Sequence, residues 1–354
     1  MRGEFWRGRK VFVTGHSGFK GSWLALWLRS LGARVAGYAL KPPSTPSLWA
    51  LIEAKADVAS TIADIRDLAA LSKALQAFQP EVVFHLAAQS LVHPSYDDPV
   101  GTYATNVMGT VHLLEAVRHS AGVCAVVNVT SDKCYENLET GQAYRESDPM
   151  GGRDPYSSSK GCAELVTTAY RAAFLSSPGA PALASARAGN VIGGGDWAAD
   201  RIVPDFVRAA MARAPVQVRN PRAIRPWQHV LEPLAGYLQL AERLCGTPRE
   251  FAEAWNFGPD EEDSVPVETV ASTMARLWGT PAGWVADRNA HPHEAHFLKL
   301  DSSKARTRLG WRPRLRLTTA LEWTVEWYKK QAQGEDARAL TLAQIKRYME
   351  LGSA

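Results

Sequence analysis

The stretch VTGHSGFKGSW, residues 13–23, decides the fold. It joins a short apolar run, KVFV, to a helix-like segment, SWLALWLRSLG. Gly15, Gly18 and Gly21 stand in a GxxGxxG spacing, where the common dinucleotide fingerprint has GxGxxG. The physical requirement is shared. Glycines let the backbone close on a diphosphate, which rests at the positive N-terminus of the following helix. A glycine-rich turn for tight strand–helix packing is the bland alternative, and the sequence downstream decides between them.

Strand-like and helix-like segments alternate through the first half. ARVAGYAL, STIADIRD, EVVFHLAA, CAVVNVTSD and ALASARAGNVIGGG read as strands and their exits. LAALSKALQAF, TNVMGTVHLLEAVRHS and SSSKGCAELVTTAYRAAFL read as helices between them. This βαβ alternation predicts an α/β fold with a Rossmann-type, doubly wound parallel sheet. AEAWNFGP adds a late strand, and the chain ends helix-rich, with TALEWTVEWYKKQAQ. We expect residues 1–187 to form a dinucleotide-binding domain, with a return segment near 228–258. Residues 188–227 and 259–354 are expected to form a smaller, C-terminal substrate-binding domain.

The 354 residues are 46% apolar and carry a formal net charge of +4. That balance suits a soluble globular protein. RNA binding rests on mild basicity alone, so no nucleic-acid partner is expected. No apolar run approaches membrane-span length, so no membrane partner is expected either. The first residues reach a glycine turn after four apolar positions, which is no signal-peptide pattern. Cys124, Cys134, Cys162 and Cys245 form no CxxC pair. Reduced thiols in a cytoplasmic protein are expected.

TSDKCYEN, residues 130–137, follows the apolar run AVVNV. Its polar cluster therefore sits at the C-terminal end of a buried parallel strand, where open α/β sheets place ligands. DPYSSSKGCAEL puts Tyr156 and Lys160 one helical turn apart on one face. A neighbouring cation favours phenolate, so the Tyr156 pKa is expected to fall. Such a tyrosine can exchange a proton with a substrate hydroxyl while a nicotinamide takes the hydride. The second strand ends in GYALKPP, with Lys41 where a ribose-binding acid commonly stands. On the residues alone, NAD and NADP both remain open. Asp64 and Ile65 in ADIRD either cover an adenine or form an ordinary turn. HPHEAH lacks the HExxH spacing, and no metal is expected.

Taken together, TGHSGFKG, HLAAQ, TNVMGT, VTSDKCY and YSSSK resemble the extended short-chain dehydrogenase/reductases, in order and over nearly the whole chain. The blocks TGHSGFKGSWL, TSDKCYEN, RAGNVIGGGDW, IRPWQHVLEP and NAHPHEAHFLKLD are similar to the 4,6-dehydratase branch that acts on CDP-glucose. The resemblance implies a hydro-lyase with NAD as cofactor. It oxidises the sugar at C4, eliminates water across C5–C6 and returns hydride to C6. NAD would lie on Gly15, Gly18, Phe19, Lys20, Gly21, Asp64, Ile65, Leu86, Ala87, Ala88, Tyr156 and Lys160. The resemblance makes Tyr156 the proton acceptor, Lys160 its cation, Ser131 a hydrogen bond to the same oxygen and Asp132 the acid. Lys133 stands where the dTDP-glucose dehydratases carry a glutamate base. It serves either as a neutral C5 base or as a charged stabiliser of the enolate. Gln89, Ser131, Asn190, Arg225 and His293 would bind the nucleotide sugar. A homodimer, through helices near 104–120 and 156–175, and a role in bacterial deoxysugar or O-antigen synthesis are implied in the same way. A 4-epimerase and a non-catalytic dinucleotide sensor are the competing readings.

Overall fold

The run AVVNV becomes β5, Ala125–Val129, with every residue buried. β-branched residues suit a strand covered on both faces. Val126 belongs to one apolar core and Val127 to the other, because successive side chains of a strand point to opposite faces. Six further strands share the sheet: β1, Lys10–Thr14; β2, Arg34–Ala39; β3, Val58–Ile62; β4, Val82–His85; β6, Ala182–Arg187; and a seventh, Ala254–Asn256. The order runs from the seventh strand through β6, β5, β4, β1 and β2 to β3. Every pairing is parallel. The expected doubly wound parallel sheet is present. The computed structural model describes residues 3–279, 283–289 and 295–352.

Helices cover both faces. Leu71 and Leu75 of Leu68–Phe78 join Leu113 and Leu114 of Gly109–Arg118 in one core. Trp23 and Trp27 of Phe19–Ser30 join Leu234 and Leu238 of Leu231–Gly246 in the other. The helix Pro155–Ala173 starts cleanly, with Pro155 in its first turn and the Asp154 carboxylate accepting the Ser157 N–H. Chain order reverses between β1 and β4, which pair Thr14 with His85. That switch point opens a crevice at the strand C-termini.

Above the crevice lie three two-stranded pairs. Val191–Ile192 pairs with Gln228–His229, Ile224–Pro226 with Ser264–Pro266, and Val216–Val218 with Trp284–Ala286. The helix Leu317–Ala332 packs against this region, and its Tyr328 hydroxyl donates to the Asp196 carbonyl. A Cβ on Gly194 would stand 2.1 Å from the Trp327 ring, so only glycine fits. No helix among the described residues is long and apolar enough to cross a membrane.

One expectation is corrected. Cys124 and Cys245 form a disulfide, with Cα atoms 5.3 Å apart. Cys134 and Cys162 are free. The pair lies 121 residues apart, so no local spacing announces it. The partners meet only because Leu231–Gly246 packs its last turn beside the start of β5.

Candidate active site

A cavity of about 920 Å³ occupies the crevice. One wall is the glycine loop. Gly15 has φ +73°, and a Cβ there would stand 2.7 Å from the Ala87 nitrogen. A Cβ on Gly21 would come within 2.1 Å of the Gly15 carbonyl oxygen. Both glycines are therefore sterically required. Gly18 caps the helix Phe19–Ser30 with no side-chain bond, so the helix N–H groups stay open. A diphosphate fits this cradle. His16 fills the loop's underside: its Nε2 pairs with Ser60 Oγ at 2.7 Å. Burial pushes its pKa down to about 4.

Leu86, Ala87, Ala88, Asp64 and Ile65 continue the wall, with Lys41 and Lys20. Arg66 grips Asp64 through Nε and Nη2, which lowers the Asp64 pKa. Lys20 is pushed down to about 7, by burial first and then by Arg201. Thr14 Oγ1 pairs with His85 Nδ1 at 2.6 Å, and His85 is buried and neutral, pushed down to about 3. His85 thus orders the ends of β1 and β4.

The opposite wall holds the polar strand end. Ser131, Asp132 and Lys133 line the cavity with Tyr156 and Lys160. Ser131 Oγ accepts the Lys133 N–H at 3.2 Å and so starts a short turn over Asp132–Cys134. Ser131 Oγ also donates to Asp132 Oδ1 at 3.0 Å. Asp132 Oδ2 is buried and bonds to nothing among the described residues. Lys160 Nζ lies 6.0 Å from the centre of the Tyr156 ring. Burial lowers the Lys160 pKa to about 8.

The expectation for Tyr156 is corrected here. Its pKa is pushed up, to about 12. Burial is the largest cause, and the Ser131 hydrogen bond only partly offsets it. A phenolate loses more solvation in this cavity than the protein's own charges return.

The substrate-side residues divide. Asn190, with φ +34°, lines the cavity at the exit of β6. Arg225 is on the wall too, but its Nη1 donates to the Ile224 carbonyl and its Nη2 to the Ala295 carbonyl. Gln89 is not on the wall. Its amide is engaged with Leu91 and Thr102, and its backbone with Asn106. His291 and His293 lie outside the described residues. Sequence reading missed Arg201. It lines the cavity, and bridges Asp196 at 3.0 Å and Ser90 Oγ at 3.1 Å. The DWAADR run offered charge but no periodicity to mark it.

Comparison with known proteins identifies the family. The family model described as GDP-mannose 4,6 dehydratase matches residues 12–258. A CDP-glucose 4,6-dehydratase of Salmonella typhimurium strain LT2 is 54% identical over 350 residues, covering 98% of each chain. A dTDP-glucose 4,6-dehydratase of Xanthomonas campestris pv. campestris is 29% identical, covering 89% of this chain and 92% of its own. Among solved structures, the epimerase Mth375 of Methanothermobacter thermautotrophicus superposes with a TM-score of 0.80 at 24% identity, covering 94% and 95% of the two chains. MoeE5 in complex with UDP-glucose and NAD superposes at 0.76 with 25% identity, covering 91% and 99%. The chain belongs to the GDP-mannose 4,6 dehydratase family of extended short-chain dehydrogenase/reductases.

Proposed function

We propose that this chain dehydrates CDP-glucose to CDP-4-keto-6-deoxyglucose, using NAD. One observation carries the reading. A buried carboxylate with an unbonded oxygen, Asp132, shares the cavity wall with Tyr156 and Lys160. A 4-epimerase has no water to eliminate and no use for that acid. The 54% identity to a CDP-glucose 4,6-dehydratase supports cytidine as the base.

In this reading Tyr156 is deprotonated once the positive charges of Lys160 and bound NAD stand beside it, and its phenolate oxygen takes the proton of the sugar 4-hydroxyl. Ser131 donates a hydrogen bond to the same oxygen and Lys160 supplies the adjacent positive charge. NAD, held on the glycine loop, would supply a positively charged hydride acceptor for C4 and, once reduced, a hydride donor for C6. The C4 ketone acidifies C5–H. Lys133, as the neutral amine, takes that proton, the C5–H electrons form the C5–C6 double bond, and Asp132 protonates the departing 6-hydroxyl; Lys133 then returns a proton to C5 as hydride reaches C6.

Gly15, Gly18, Phe19, Lys20, Gly21, Asp64, Ile65 and Leu86 to Ala88 would hold the dinucleotide. Asn190 and Arg225 would face the nucleotide diphosphate. Residues 1–187 with 228–258 serve the cofactor, and the remainder serves the nucleotide sugar. A homodimer fits the exposed apolar Val100, Met108 and Leu165 on helices flanking the site. The product suits deoxysugar synthesis for a surface polysaccharide.

The test is incubation of purified protein and NAD with the glucose derivatives of CDP, dTDP, UDP and GDP. A 4-keto-6-deoxy sugar from CDP-glucose, with no net reduced cofactor, is expected. A galactose product, or no turnover, overturns the reading.

A further inference from the structure

Behind the cavity wall lies a buried polar network that the chemistry above leaves unused. Glu164 sits two turns after Tyr156 and one turn after Lys160 on the same helix. Its Oε1 accepts the Thr130 hydroxyl. Its Oε2 accepts the Ser185 hydroxyl at 2.7 Å and Arg187 Nη2 at 2.8 Å. The Glu164 and Arg187 side chains are 2% and 4% exposed. Arg187 Nη1 also donates to Tyr135 Oη at 2.7 Å, and Tyr135 donates to Asn256 Oδ1 at 2.7 Å.

One carboxylate thus touches three elements: the Tyr156 helix, the end of β5 and the end of β6. Thr130 immediately precedes Ser131 and Asp132, and Tyr135 closes the turn that carries Lys133. The network grips the Ser131–Lys133 segment at both ends. Burial pushes the pKa of such a carboxylate up, but with three donors, one of them the Arg187 guanidinium, Glu164 stays ionised and its pKa is lowered. A plain apolar contact would fill this space without fixing any angle. Charge-assisted hydrogen bonds fix both distance and direction.

We propose that Glu164, held by Arg187 and gripping Thr130, is a positioning residue that sets Asp132 and Ser131 against Tyr156 and Lys160. It touches no reacting atom: Glu164 and Arg187 are absent from the cavity wall, while Thr130 reaches it. The inference rests on the dehydratase reading. C4 oxidation draws on Tyr156 and Lys160 from the helix side with Ser131 from the strand end, and water elimination draws on Asp132 and Lys133 from the strand side alone. Loosening the clamp therefore uncouples the two halves of the turnover.

The experiment compares wild type, Thr130→Val, Thr130→Ser, Glu164→Gln and the Thr130→Val/Glu164→Gln double variant in single turnover with CDP-glucose and NAD. Thr130→Val keeps the side-chain shape and removes only the gripped hydroxyl. It is expected to slow elimination about tenfold to a hundredfold, the worth of a hydrogen bond to a charged group. KM for CDP-glucose stays unchanged, and 4-keto-glucose escapes together with reduced cofactor. Thr130→Ser restores coupling. The double variant is no slower than the slower single variant, because both changes break one interaction. Wild-type behaviour of Thr130→Val, additive losses in the double variant, or a fall in Tm with full activity in the folded fraction overturns the clamp. A wild-type protein that leaves CDP-glucose untouched removes the dehydratase reading and the inference with it. Wild-type turnover beside an indifferent Thr130→Val removes the clamp alone.

Discussion

Asp132 occupies the volume that a side chain at Gly189 would need: a Cβ there would stand 1.8 Å from Asp132 Oδ2. The glycine at the exit of β6 is a seat for the carboxylate at the exit of β5. Gly189→Ala forces Asp132 to move while leaving Lys133 and Tyr156 in place. The variant is expected to oxidise C4 and exchange the C5 proton, yet fail to expel water. Deuterium incorporation at C5 with no 6-deoxy product is the signature. Normal product formation contradicts the seat.

Tyr156→Phe removes one hydroxyl from a buried ring and little shape. C4 oxidation is expected to fall at least about a hundredfold, with CDP-glucose binding intact. Isothermal titration beside single-turnover kinetics separates the two. Near-normal turnover would remove Tyr156 from proton transfer.

Lys133→Met tests the base. The variant is expected to oxidise C4 but to lose exchange of the C5 proton with solvent, so 4-keto-glucose accumulates in a single turnover. Lys133→Glu restores a proton acceptor and part of the exchange. Wild-type incorporation of deuterium in a folded Lys133→Met protein would leave Lys133 out of the step.

Glu232 makes a prediction away from the site. It is buried, and accepts the Arg314 and Leu315 N–H groups and the Tyr348 hydroxyl. Burial pushes its pKa up from 4.5 to about 7, against those bonds. A raised folded-state pKa means that the fold favours the protonated acid. The stability this contributes is complete below about pH 4.5 and is lost as pH rises through about 7, on the order of 3 kcal/mol over the window. Glu232→Gln cannot ionise. Its Tm should decline less than that of wild type between about pH 5 and about pH 8. Parallel Tm curves would contradict the assignment.

The order of elements was legible in the sequence because each depends on local pattern. GxxGxxG between an apolar run and an apolar helix, and seven runs alternating with helices, dictate a doubly wound sheet and place TSDK at a strand end. The 3.6-residue repeat sets Tyr156 and Lys160 on one helix face without reference to the rest of the chain. Resemblance, not physics, named the base and the reaction.

Other properties belong to the tertiary structure alone, because they depend on groups far apart in the chain. Burial from all sides raises the Tyr156 pKa, although its helical neighbour is a cation. Cys124 meets Cys245 only when a helix packs on the sheet. Gln89 has the right position in HLAAQ, but Leu91 and Thr102 claim its amide. Arg201 reaches Ser90 across 111 residues. Glu164 reads as one more polar helix residue until β5 and β6 bring Thr130, Ser185 and Arg187 around it. Local spacing orients a side chain on its own element; only packing decides which charges it faces and how much water remains.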